Sequence, residues 1–254
     1  MQSHPLSPQH RRDAISTLAA VGLGVAAGSS PSQAAQAGGA GHVVLLGDSS
    51  FDNRAYVGGA PDVVTHLRGR LPQPWRGTLV AVDGAVTSDL RRQLARLPAD
   101  ATHLVISVGG NDALRHESLF REAARSVGEG LARLAEAREQ FQQDYGAMLG
   151  AALAKGLPLA LCTIYDPRFP DPQRQRLGLT GLALFNDVIT RAAFARSLPL
   201  LDLRLICDED ADFANPIEPS GQGGGKIAAA IRQLLSEHDF GRRRSEVFTG
   251  HPER

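Results

Sequence analysis

From Val43 onward the chain alternates short apolar runs with longer amphipathic ones, and this alternation constrains the fold more than any other feature. Short apolar runs bounded by Gly, Pro, Asp or Asn read as strands buried on both faces, and the amphipathic stretches between them read as crossover helices. Strands are expected at Val43–Leu46, Thr78–Val82, Leu104–Val108, Leu157–Thr163 and Leu198–Leu203. Helices are expected at Pro61–Leu71, Thr87–Leu97, Glu117–Lys155, Leu177–Arg196 and Gly221–Leu235. Pro61 suits a first helical turn, and Thr87 or Ser88 can cap the second helix. Glu117–Lys155 is long and carries Gly128, Gly130 and Gly146, so at least one break is expected there. Asp166–Pro172, with three prolines, reads as a loop. Strand-first units of this kind build an α/β domain: a three-layer α/β/α sandwich around a parallel sheet of five strands.

The domain is expected to occupy residues 41–238. Ahead of it, residues 1–40 carry Arg11-Arg12, a mildly apolar stretch from Ala14 to Gly28 and a small-residue linker, the order of a twin-arginine-like export signal. Export to the periplasm or medium is expected, with a cytoplasmic enzyme bearing an uncleaved leader as the alternative. No stable membrane span is expected in the mature chain, because the apolar stretch is short and weak. Residues 239–254 hold Arg242, Arg243 and Arg244 and little apolar content, and read as a loosely ordered tail.

Charge narrows the function. Lys plus Arg and Asp plus Glu are 27 each, so no overall basic field draws the chain to nucleic acid. The two cysteines, Cys162 and Cys207, lie far apart and form no zinc or redox motif; they read as small buried side chains, with a single bridge left open. Neither cofactor nor metal is expected: the histidines are scattered, and neither a spaced-glycine dinucleotide turn nor a phosphate-binding loop ending in Lys-Ser or Lys-Thr is present. Gly223-Gly224-Gly225-Lys226 starts a helix without a preceding strand and suits close packing better than phosphate binding.

Ligands of open parallel sheets bind at the carboxyl ends of the strands, near the reversal of strand order. Strands one to three are followed there by Gly47-Asp48-Ser49-Ser50, Asp83-Gly84-Ala85 and Gly109-Gly110-Asn111-Asp112. A serine on a tight strand-to-helix turn exposes its hydroxyl and its main-chain N–H, as a nucleophile and oxyanion donor must. Gly84 could donate its N–H and Asn111 its carboxamide.

These blocks resemble those of the SGNH hydrolases, the superfamily of GDSL-like lipases and acylhydrolases. The matches are Leu45-Leu46-Gly47-Asp48-Ser49-Ser50-Phe51-Asp52-Asn53, Val82-Asp83-Gly84-Ala85 and Val108-Gly109-Gly110-Asn111-Asp112, in the family's order, with the likeness extending over about residues 43 to 235. The resemblance implies a flavodoxin-like sheet and ester hydrolysis through an acyl-enzyme, with Ser49 as nucleophile and oxyanion donor and Gly84 and Asn111 as further donors. It fails at the last block, where the family usually carries Asp, two residues, then His. Here Asn215-Pro216-Ile217-Glu218-Pro219-Ser220 puts Asn215 in the acid position and Glu218 in the histidine position.

A carboxylate can accept the serine proton, and burial would strengthen it as a base. Asn215 could orient Glu218 by a hydrogen bond where an aspartate would repel it. The competing reading of Glu218 is a carboxylate favoured by the dipole of the helix that follows. Among the histidines, His116 is the one that could swing into the pocket; His42, His66, His103, His238 and His251 have structural readings. Asp52 and Asp112 read as turn-stabilising carboxylates.

The sequence therefore points to a serine-dependent hydrolase of esters, of esterase or deacetylase type. The alternatives are a non-catalytic binding module that has lost its histidine, and an acyltransferase using the same serine. With aromatic residues at 5%, a small or short-chain ester or an acylated sugar is expected in preference to a long-chain lipid.

Overall fold

In the computed structural model, residues 40–250 are described; the leader and His251 lie outside them. The strands are β1 (His42–Gly47), β2 (Arg76–Leu79), β3 (His103–Ser107), β4 (Leu159–Cys162) and β5 (Leu200–Leu201), followed by a hairpin of β6 (Phe213–Asn215) and β7 (Glu218–Pro219), and by β8 (Val247–Phe248). The helices are α1 (Val63–Arg70), α2 (Leu90–Leu94), α3 (Gly110–Arg115), α4 (Val127–Leu153), α5 (Pro172–Phe194), α6 (Leu203–Ile206) and α7 (Gly221–Glu237).

The main sheet has the order β2-β1-β3-β4-β5-β8 and every pairing in it is parallel. Successive side chains on a strand point to opposite faces, so each strand feeds two cores. Val43, Leu45, Val105, Ala160 and Leu201 pack on one face with residues of α1 and α7. Val44, Leu46, Leu104, Ile106 and Leu161 pack on the other with residues of α2, α4 and α5. The result is the expected three-layer sandwich.

The sheet has six strands, not five. The sixth, β8, comes from the segment read as a loosely ordered tail. Its strand is only two residues long, too short to show as an apolar run, yet Leu200 N–H donates to Glu246 O at 2.8 Å and Asp202 N–H to Phe248 O at 2.9 Å. His238, buried behind it, meets the Glu246 carboxylate and packs edge-on to Phe240 and Phe248.

Capping chemistry explains several shifted boundaries. Helix α1 starts after Asp62, whose carboxylate accepts from Thr65 N–H, so Pro61 precedes the cap instead of opening the helix. Thr87 does not cap the next helix; it lies in a 3-10 turn, buried, with its N–H held by Asp112. Helix α5 begins at Pro172 because Asp171 caps it, so the end of the expected proline loop is already helix. The long helical stretch does break, at residues 122–126, between a 3-10 turn at Glu117–Arg121 and α4, whose N-cap is Ser126. Cys162 and Cys207 are both buried free thiols. No helix among the described residues is long and apolar enough to cross a membrane.

Candidate active site

The strand order reverses between β1 and β3, and the turns that follow these two strands and β2 are tied to one another there. Gly47 ends β1 with φ +137°, and a Cβ there would stand 1.7 Å from Ser107 O, so the position requires glycine. The buried Gln93 of α2 holds Gly47 from the side. Its Oε1 accepts from Gly47 N–H at 2.8 Å and its Nε2 donates to Gly47 O at 2.7 Å. The next residues wind into a tight turn. Phe51 and Asp52 N–H donate to Asp48 O, and Ser50 N–H donates to the Asp48 carboxylate. Ser49 sits on this turn, 7% exposed, and lines an open-mouthed pocket.

The second turn is fastened to the first and the third. Asp83 N–H donates to the Asp52 carboxylate at 3.0 Å, and Tyr56 Oη donates to Asp83 Oδ2 at 2.7 Å. Asn111 Nδ2 donates to Ala85 O at 3.0 Å, and the Asp112 carboxylate accepts from Thr87 N–H. Asp52 and Asp112 thus stabilise turns, as expected. Asn111 lines the pocket beside Ser49. Gly84, with φ +75°, is exposed in its turn and is not among the lining residues.

The last block folds as the β6–β7 hairpin. Asn215 Oδ1 accepts from both Ile217 and Glu218 N–H at 3.0 Å. Asn215 therefore meets Glu218 through its main chain, whereas the sequence reading envisaged a bond to orient the carboxylate. The reason is local: an Asx turn forms at once between a residue and the N–H groups that follow it. The Glu218 side chain lines the same pocket as Ser49 and is 6% exposed. Ser220 caps α7, whose buried Gly223–Gly225 run packs closely against Asp212 O, Val63 and His66, so these glycines serve close packing as expected, although the short strand β7 does precede the helix.

The electrostatics follow from burial. Desolvation pushes the Glu218 carboxyl up to about 7, against the pull of the Ser49 hydroxyl, with the charges of Asp83 and Asp48 adding to the rise. Its Oε2 is buried without a hydrogen-bond partner. Desolvation likewise pushes Asp48 up to about 6. His116 is the one histidine among the pocket-lining residues. His42 is bound between Asp100 and Thr78 at the start of β1, and His103 packs against Trp75 and Phe240.

Three supporting residues escaped the sequence reading. Besides Gln93, Tyr165 is buried in the pocket wall and its hydroxyl donates to Ile217 O at 2.6 Å, next to Glu218. Tyr56 reaches Asp83 across the first two turns. None lies in a motif block, and each acts through a long-range contact that only the folded chain reveals.

The model of the GDSL-like Lipase/Acylhydrolase family matches residues 45–224, which include the three turns and the hairpin. No curated protein matches the chain in sequence. Solved structures do match in fold. The extracellular lipase of Streptomyces rimosus aligns at TM-score 0.54 and 17% identity, over 73% of this chain and 95% of its own. Phospholipase A1 of Streptomyces albidoflavus aligns at TM-score 0.52 and 18% identity, over 74% and 97%. The aryl esterase of M. smegmatis aligns at TM-score 0.56 and 13% identity, over 77% and 98%. With the family match spanning most of the sheet and all four blocks, this chain belongs to the GDSL-like lipase/acylhydrolase family.

Proposed function

We propose that the protein hydrolyses carboxylic esters through an acyl-enzyme on Ser49, with Glu218 as the general base where relatives usually carry histidine. The observation that carries this reading is that Ser49 and the buried Glu218 carboxyl line one pocket whose walls are otherwise mainly apolar side chains. A carboxylate at its ordinary pKa is a poor base for an alcohol, but one raised to about 7 has its proton affinity near the operating pH.

In this mechanism Ser49 Oγ attacks the ester carbonyl carbon while its proton passes to Glu218. The negative charge gathering on the carbonyl oxygen is met by Ser49 N–H and by the Asn111 Nδ2 hydrogen not used by Ala85, both from residues that line the pocket, while Gly84, outside that lining, is the third donor that the family resemblance implies. Collapse expels the alcohol, which takes the proton from Glu218. Water then attacks the acyl-enzyme, giving its proton to Glu218, and the acid leaves as Ser49 recovers its hydrogen. Asn215 supports the base indirectly, by fixing the main chain of the hairpin that carries it.

The test is turnover of short-chain p-nitrophenyl esters by wild type, Ser49→Ala and Glu218→Gln, with folding checked by circular dichroism. Folded but inactive variants beside an active wild type are expected. Full activity in either variant removes that residue from the mechanism, and a wild type silent on a broad ester panel favours a non-catalytic binding module.

Export is part of the same proposal. It rests on the arginine-pair leader, and a relative of the same fold, the Streptomyces rimosus lipase, is extracellular.

A further inference from the structure

Beyond Ser49, Asn111 and Glu218, the pocket walls are built from Leu114, Phe120, Leu134, Ile164, Leu182 and Phe185. Asp48 lines it next to Ser49, and two further charged side chains, Glu117 and Arg174, satisfy each other. Arg174 donates to both carboxylate oxygens of Glu117, at 2.6 and 2.9 Å, while its guanidinium lies 3.9 Å over the Phe169 ring. A sugar ring placed here would bury hydroxyls against carbon, which costs free energy wherever a hydrogen bond to water is lost and not replaced. A hydrocarbon chain loses nothing by entering. It gains with every methylene removed from water.

Helix α5 is shaped for such an occupant. Gly178 and Gly181 sit on its pocket side, one turn apart, although glycine is among the poorest residues for a helix interior. A Cβ on Gly181 would stand 2.8 Å from Phe120 Cζ, and one on Gly178 would stand 3.3 Å from Phe169 Cε2. The missing side chains let both rings lie back on the helix backbone. The space in front of Phe120 is left to the pocket.

We propose that this pocket takes the acyl chain of the ester, that the preferred chain is unbranched and of medium length, and that the Gly181–Phe120 contact sets the depth available to it. The proposal rests on the ester-hydrolase reading of Ser49 and adds the substrate class and its specificity-determining residues. Each methylene buried between the walls is worth about fourfold in kcat/KM, so four of them amount to roughly two hundredfold.

The experiment measures kcat/KM of the full chain on p-nitrophenyl acetate, butyrate, hexanoate and octanoate, kept below their micellar range. The leaving group is constant, so the series reads the acyl side alone. The expected result is a climb of about fourfold per methylene at least as far as hexanoate. Gly181→Ala, which pushes the Phe120 ring forward, should lower the hexanoate-to-acetate ratio about tenfold, the effect of losing between one and two methylenes of room. Phe120→Ala should move the optimum to a longer chain, and circular dichroism checks that both variants fold. A flat series with Ser49-dependent acetate turnover overturns the acyl-pocket assignment and leaves the hydrolase reading standing. Faster turnover of an acetylated sugar than of hexanoate overturns it as well. A rising series that neither variant alters removes Gly181 and Phe120 as the depth-setting pair, and silence on every ester removes the hydrolase reading itself.

Discussion

Asn53 and Pro219, 166 residues apart in the chain, are joined by a hydrogen bond of 3.1 Å from the Asn53 carboxamide to the Pro219 carbonyl. The same carboxamide accepts from Val63 N–H at 3.0 Å, and Asn53 is completely buried. One side chain thus fixes the turn bearing Ser49, the start of α1 and the strand bearing Glu218. Asn53→Ala leaves a buried N–H and a buried C=O unpaired, so a loss of about 2–3 kcal/mol in urea unfolding is expected. Because the distance between Ser49 and Glu218 is no longer held, kcat should fall by more than KM rises. A variant of unchanged kcat would show that the two blocks hold their places without this bond.

Activity should depend on pH through Glu218. Its pKa is pushed up to about 7 by burial in the folded protein, and as the proposed base it works only when deprotonated. A plot of log kcat/KM against pH should therefore be level above about 8 and fall with unit slope below about 7. A limb near 4.5, the ordinary value for glutamate, would mean that the carboxylate is solvated in solution. A limb that persists in a partly active Glu218→Gln variant would assign it to another group, with Asp48, held near 6, the first to examine.

The same residue should cost stability. Glu218 binds its proton more tightly folded, at about 7, than at its reference value of 4.5, so wild type loses stability as pH rises from about 4.5 through 7. Glu218→Gln keeps the shape and discards the charge. Its Tm should exceed that of wild type by a few degrees at pH 8, at about 2–4 °C per kcal/mol for a chain of this size, and the gap should close toward pH 5. Equal melting temperatures at pH 8 would mean that the buried Oε2 finds a partner, such as water.

Asn111 donates to Ala85 O, and in the proposed mechanism it is also a donor to the oxyanion. Asn111→Ala should lower kcat about a hundredfold or more, the scale of losing one preorganised donor. Asn111→Asp should be at least as harmful, since it sets a negative charge where another develops. Steady-state kinetics on one activated ester decide the matter, and a loss below tenfold would remove Asn111 from the oxyanion hole.

Much of the fold was legible because burial on both faces writes itself into strands as apolar runs, unbroken in Val43–Leu46 and interrupted in Leu104–Val108 by Ser107 alone. Leu200–Leu201 and Val247–Phe248 pair over two residues each, too short for any period to register, so one strand was drawn too long and the other missed. Helix starts were misjudged where the capping side chain, as at Asp62 and Asp171, outranked a neighbouring proline or threonine. Around the site, the strand-end turns themselves were legible because local turn chemistry fixes them. Gln93, Tyr56 and Tyr165 were not, because nothing in their own neighbourhoods signals what they touch. Composition also hid the pocket. An aromatic content of 5% says little when Phe120, Phe169 and Phe185, of nine phenylalanines, stand around one cavity.

The sixth strand has a consequence for self-association. Without β8, the outer edge of β5 would offer unpaired N–H and C=O groups beside the buried Leu200 and Leu201, an invitation to pair with the equivalent edge of another copy. Residues 247–248 occupy that edge from within the same chain. A chain cut after α7 would be expected to join copies edge to edge into mixed-size oligomers, so these two residues act as an internal plug that keeps one sheet from seeding the next.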